Sequence, residues 1–312
     1  AVGQPDVVDQ TKLVPRLLAN NIDLFTNSRE NQIILFGTSS TDTVYGYKYY
    51  VVGNTRQQAS WFKWKFINPL KYHFVVDDSY YIVDTDNYLQ KLNLISSTTD
   101  PSLSVDSGDY LVHLDNYVSL SGGTFNSTTN TTAFTAAWVD DITTPNGDLV
   151  LVDDDDGVLR RGSFTKPRIS GTTITADGDW SGKTVTAGYL YDYQVDFPTI
   201  YASKTQGDST IGDTNASLVI HRVKIGFGRS GLYEAQLTRT GKPTYSETYE
   251  TTSADNYGAD DITYLSEQFR TIPVYEKNTN LDFTVKSTDP SPATIRSMSW
   301  EGDYSPRFYR KA

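Results

Sequence analysis

Cysteine is absent from these 312 residues. Neither disulfides nor thiolate metal sites can hold the fold, and a cysteine nucleophile is excluded. Histidine occurs three times, at His73, His113 and His221, too few and too scattered in sequence for a His-rich catalytic zinc centre. Bases are the minority, 27 Lys and Arg against 38 Asp and Glu for a net charge of −11. That balance argues against phosphate-neutralising contact with nucleic acid, which needs clustered bases. It leaves open a surface past which DNA slides without sticking. No apolar run approaches the roughly 20 residues that span a bilayer, and no leader pattern is visible, so stable membrane insertion is not expected. Helical periodicity is confined to residues 11–18 and a turn near 259–266. No repeat of fixed period is visible, which weakens a β-helix.

What remains is strand vocabulary. Hydrophobic residues make up 38%, low for a compact enzyme, while 22 Tyr and 22 Gly accompany abundant Thr, Ser and Asp. Such a balance favours short strands and many turns, and the fold class it predicts is all-β. The length exceeds one usual core, which predicts two or three domains. Residues 1–100 read as a propeller-like antiparallel meander, with strands at 32–36, 44–52, 61–66, 72–76, 80–83 and 88–94. Within Trp61-Phe62-Lys63-Trp64-Lys65-Phe66, a period of two places Phe62, Trp64 and Phe66 on one buried face. Residues 101–182 turn to Thr, Ser, Asn, Asp and Gly and read as a small inserted β-domain, with strands at 134–139, 149–152 and 158–164. Residues 183–312 read as a β-sandwich-like domain, with strands at 189–195, 217–227, 232–239, 268–275, 281–287 and 295–300. In the second of these Val219, His221, Val223, Ile225 and Phe227 form the expected core face, opposite Leu218, Ile220, Arg222 and Lys224.

Candidate chemistry is thin. Asp153-Asp154-Asp155-Asp156-Gly157 is rich enough in carboxylate for calcium. With Gly157 at the sixth place of an EF-hand loop, the first would be Val152 and the twelfth Ser163, so both essential acids are missing. A hairpin turn between paired strands fits better. Asp140-Asp141 and Asp260-Asp261 pose the question of glycosidase carboxylates, but adjacent acids on a strand point to opposite faces, and solvated loop acids are the simpler reading. Glu301 and Asp303 would share a face only if the last strand ran on, and Gly302 with the following Ser-Pro reads as a turn. His221 is expected as an interior histidine. Ser230 lacks the strand-to-helix elbow of a hydrolase nucleophile. The sequons at Asn126, Asn130 and Asn215 carry little weight in Thr-rich loops. No catalytic, cofactor or metal residue is assigned.

The end of the chain carries the most information. It holds Pro273-Val-Tyr-Glu-Lys-Asn-Thr279 and Trp300-Glu-Gly-Asp-Tyr304, then the basic aromatic tail from Arg307 to Lys311, which is too short for a single-strand nucleic-acid platform. Together with Ser60 to Phe66 after the Tyr-rich strand at 44–52, Gly188-Tyr-Leu-Tyr191, residues 218–227 and Arg229-Ser-Gly-Leu-Tyr233, these stretches are collinear over nearly the whole chain. They resemble the tail tubular protein B family, the nozzle of short-tailed bacteriophages. The resemblance implies a non-enzymatic virion protein of the phage tail: a homo-oligomer, expected as a hexameric ring, docked under the adaptor ring (tail tubular protein A). Tail fibres would sit near that junction, and viral DNA would pass through during ejection. It also implies a further portion ahead of Ala1. The other readings are a receptor-binding or glycan-depolymerising tail protein, and a calcium-binding β-sandwich adhesin. No cofactor is expected.

Overall fold

A computed structural model describes residues 11, 22–28, 31–37, 41–53, 55–76, 79–93, 112–136, 149–154, 163–206, 209–250, 265 and 267–306. Apart from Thr11 and Leu265, the expected helical stretch at 11–18 and the turn near 259–266 lie outside them. The architecture is all-β and antiparallel, with no α-helix among the described residues. The chain divides into two compact units, residues 1–100 and 101–312.

In the first unit, six strands follow one another in a single sheet: β1 (Ile22–Asn27), β2 (Gln32–Gly37), β3 (Thr41–Val52), β4 (Thr55–Val76), β5 (Ser79–Asp84) and β6 (Leu89–Asn93). β1 was not expected. The strands anticipated at 61–66 and 72–76 are one strand of 22 residues. Pro69 does not break it, because it lies where β4 changes partner. β4 pairs with β3 as far as Lys65, jumps to Leu70, and from there pairs with β5. At that hand-over the missing N–H costs no ladder bond, and the Pro69 carbonyl accepts the Thr85 N–H at 2.9 Å.

The two faces of β4 are as the alternation predicts, although less is buried. Trp64 and Phe66 flank a core of Ile34, Phe36, Val44, Leu70, Tyr80 and Ile82. Phe62 is half-buried, 5.0 Å from Trp64 between ring centres. The tip of its ring lies over Gly46, where a Cβ would fit only if the ring moved. Trp61, on the opposite face, packs on Tyr47. The sheet curls on itself. His73 of β4 stacks on Phe36, meets Phe25 of β1 edge-on at 4.7 Å, and places Nε2 3.5 Å from Asp23 Oδ2. β1 and β4 are not ladder neighbours, so only a curled sheet brings these groups together.

The second unit begins with two facing sheets. One has the order β11-β10-β14-β7 and the other β12-β13-β9-β8. Their strands are β7 (Asp115–Leu120), β8 (Thr124–Asn126), β9 (Thr131–Thr135), β10 (Leu149–Asp153), β11 (Phe164–Thr165), β12 (Arg168–Ser170), β13 (Thr173–Asp177) and β14 (Val185–Tyr189). The strand expected at 134–139 therefore starts earlier and ends at Thr135. Phe134, Leu149, Leu151, Ile174, Trp180, Val185 and Tyr189 form the core between the sheets. β10 is covered on both faces, since Val150 and Val152 pack on Val112 and Leu114. That explains its unbroken apolar run, a pattern otherwise typical of interior parallel strands.

Nine more strands follow among the described residues: β15 (Tyr193–Phe197), β16 (Ser203–Gln206), β17 (Ser209–Gly212), β18 (Ser217–Phe227), β19 (Leu232–Arg239), β20 (Tyr245–Glu250), β21 (Gln268–Lys277), β22 (Leu281–Ser287) and β23 (Ile295–Ser305). The strand expected at 189–195 is two strands, the first paired with β7 and β10, the second with β22. A sheet ordered β15-β22-β19-β20 and a sheet ordered β21-β18-β23 share one core, which includes Ile225, Phe227, Tyr233, Phe283 and Val285.

The core face expected for β18 is half wrong. The register shifts between Ile220 and Arg222, so Leu218 and Ile220 are buried ahead of the bulge and Val223, Ile225 and Phe227 after it. One inserted residue exchanges the faces of a strand. Val219, expected inside, is exposed. The last strand also departs from expectation. It does not turn at Gly302 but runs on to Ser305, with Gly302 pressed against the Val219 carbonyl where a side chain has no room.

Candidate assembly surface

The bulge places His221 on the outer face of the β21-β18-β23 sheet, not in the interior as its sequence neighbours implied. Its ring stacks on Tyr275 at 5.7 Å, and Nε2 lies 3.2 Å from Asp303 Oδ2. Tyr275 takes a left-handed backbone (φ 49°), uncommon for a bulky side chain, opposite the same bulge. Next along the face, Arg222 Nε donates to Glu301 Oε2 at 2.8 Å, and Lys224 Nζ lies 4.6 Å above the Phe269 ring. Phe269 and Tyr275 are both at least half exposed. Rings and charges alternate here, each held in place by its neighbour. Such a face can bind, but it holds no nucleophile with a base behind it.

The other candidates resolve into structural roles. β10 and β11 pair across the acid-rich segment, and Asp153 N–H donates to the Ser163 carbonyl at 2.8 Å. The Asp153 carboxylate is fully buried and accepts from Lys183 Nζ at 2.6 Å. Asp154 Oδ2 accepts from the Thr186 hydroxyl, also at 2.6 Å. Two of the four acids thus bind the sandwich together, whereas Asp155 and Asp156 lie outside the described residues. Asp140, Asp141, Asp260, Asp261 and the tail from Arg307 to Lys311 lie outside them too. Ser230 is buried and accepts the Thr294 N–H at 2.8 Å, fastening the connection between β18 and β19 to the loop before β23. Asn126 Oδ1 accepts the Thr128 N–H, a self-bonded turn of the β8–β9 hairpin. Asn130 supplies that hairpin's left-handed residue, and Asn215 donates its N–H to Asp213 Oδ1.

Asp213 ties two elements together. Lys204 Nζ of β16 donates to it at 3.0 Å and the Tyr304 hydroxyl of β23 at 2.9 Å. These hydrogen bonds, that from Lys204 first, hold its carboxyl below the usual carboxylate range. Among the described residues no group of His, Asp and Glu is placed to hold a metal ion, and no helix is long and apolar enough to cross a membrane.

Fold and surface together define an all-β protein whose conspicuous outward features are exposed faces of aromatic and charged side chains. Comparison with curated proteins finds no match. The profile of the bacteriophage nozzle protein covers residues 2–311, and the chain belongs to that family. It is a structural component of the phage tail, in the virion.

Proposed function

We propose that copies of this chain assemble into a ring, six by the resemblance, that forms the last stretch of the conduit for viral DNA below an adaptor ring. The observation that carries this is the family match along residues 2–311. The net charge of −11 is in keeping with it, because walls of the same sign as the phosphates let a duplex pass without being held. In this reading the outer face around Tyr275 and Phe269 serves contacts with the adaptor (tail tubular protein A), tail fibres or neighbouring copies, since exposed aromatic and Arg side chains are favoured at such sites. The work is assembly, with no bond made or broken. Negative-stain electron microscopy of the purified chain, and of the particle bearing it, tests the proposal. Class averages should show a ring with an axial channel; monomers or trimers without a ring would remove it.

A further inference from the structure

The β3–β4 hairpin outgrows its sheet. β2 accompanies β3 only to Lys48, with one more bond from Tyr49 N–H to the Asn31 carbonyl, and β5 joins β4 only from Leu70. From Tyr50 opposite Gln58 to Val52 opposite Thr55, the two strands pair only with each other among the described residues. Among the described side chains between Lys48 and Ser60, all are exposed except that of Tyr49, which is half-buried. A two-stranded ribbon of this kind is marginal in water, yet this one carries Tyr50, Val51 and Val52 exposed at its tip.

Charge sets the same segment apart. Residues 43–76 contain Lys48, Arg56, Lys63, Lys65 and Lys71 and no acid, so the rest of the chain holds 22 of the 27 bases and all 38 acids. The segment is basic and the remainder, taken together, is acidic, although residues 157–176 also hold four bases and no acid.

We propose that the β3–β4 ribbon is an arm that docks on a second copy of this chain. Tyr50 and Val52, which share one face of β3, lie on the neighbour's surface, and the bases along the ribbon meet its acids. The complementarity is between different surfaces of the same chain, so arm-to-arm contact is repelled and arm-to-body contact favoured. Contacts of that kind run head to tail, the type that closes into rings. Nucleic acid fits less well, because two adjacent valines offer nothing to a phosphate and the body would repel it. The inference rests on the self-assembly proposed above and names the surface that performs it.

The lack of cysteine gives a clean test. Val52→Cys, labelled with a thiol-reactive photo-cross-linker, is mixed as heavy-isotope and light copies, irradiated and mapped by mass spectrometry. Cross-links should join a heavy copy to a light one, at an acid-rich surface. Tyr50→Ser with Val52→Ser, and separately Lys63→Glu, should weaken self-association at least about tenfold in sedimentation velocity, leaving thermal melting unchanged. Cross-links confined to one copy, variants that associate like the wild type, or a tip shielded by single-stranded DNA in place of a second copy would each overturn the arm. Rings that persist in the variants would defeat the arm and spare the conduit. Tip-dependent oligomers that never form a ring would do the reverse.

Discussion

Lys183 Nζ sits 2.6 Å from Asp153 Oδ2, with the lysine side chain 6% exposed and the aspartate not at all. The pair crosses from the end of β10 to the approach of β14, two strands that are ladder neighbours in one sheet of the second unit. Removing one partner strands a charge out of water, which costs about 3–5 kcal/mol, whereas replacing both with apolar groups is often neutral. Lys183→Met should therefore lower stability by about that amount, and Asp153→Leu with Lys183→Met should recover most of it. Guanidinium unfolding followed through Trp180, which is buried in the same core, measures both. A double variant no better than the single one would contradict the account.

The tip of the Phe62 ring lies over Gly46, so any side chain there must displace the ring. Gly46→Val is expected to destabilise the first unit by about 1–3 kcal/mol. Combining it with Phe62→Ala should recover part of that loss. A double-mutant cycle on thermal melting reads the coupling; strict additivity would mean that the ring is not the obstacle.

His73 is packed between Phe25, Phe36 and Tyr80, and burial lowers its pKa below 6.5, with Asp23 opposing only in part. A lowered folded pKa gives stability that is present above the unfolded value and lost as pH falls through the folded one. The first unit should thus weaken on acidification below about pH 6.5, and His73→Phe should remove that part of the slope. Melting temperature against pH for the two proteins, monitored through Trp61 and Trp64, tests it. Parallel curves would show that the imidazole is not responsible.

Gly302 and Glu301 are adjacent on β23, but their substitutions should differ sharply. Gly302→Ala drives a methyl into the Val219 carbonyl and pries β23 from β18, costing about 1–3 kcal/mol. Glu301→Gln removes an exposed ion pair with Arg222, expected to shift stability by less than about 1 kcal/mol. Amide exchange along β18 should accelerate in the first variant alone. Equal protection in both would argue that the close approach is not a constraint.

Much of the architecture was legible because alternation survives wherever pairing is regular. Leu281 to Ser287 reads as a strand with one buried face, and that is how it packs. What escaped were the irregularities. The bulge at His221 shifts the phase of β18 with no change in residue type, and Pro69 is tolerated in β4 only because a partner changes there. Lys183, the partner that makes Asp153 structural, lies 30 residues downstream and was invisible without coordinates. The segregated charge of residues 43–76 was present in the sequence, but averaging over the whole chain hid it.

The consecutive order of β1 to β6 bears on synthesis. Each strand in that sheet pairs only with those made just before and just after it, so the first unit can zip together as it leaves the ribosome. The second unit cannot. β7 waits for β14, β15 waits for β22, and β18 is flanked on one side by β23, the last of the described strands. A nascent chain therefore completes the β3–β4 ribbon well before the sheets of its second unit can close.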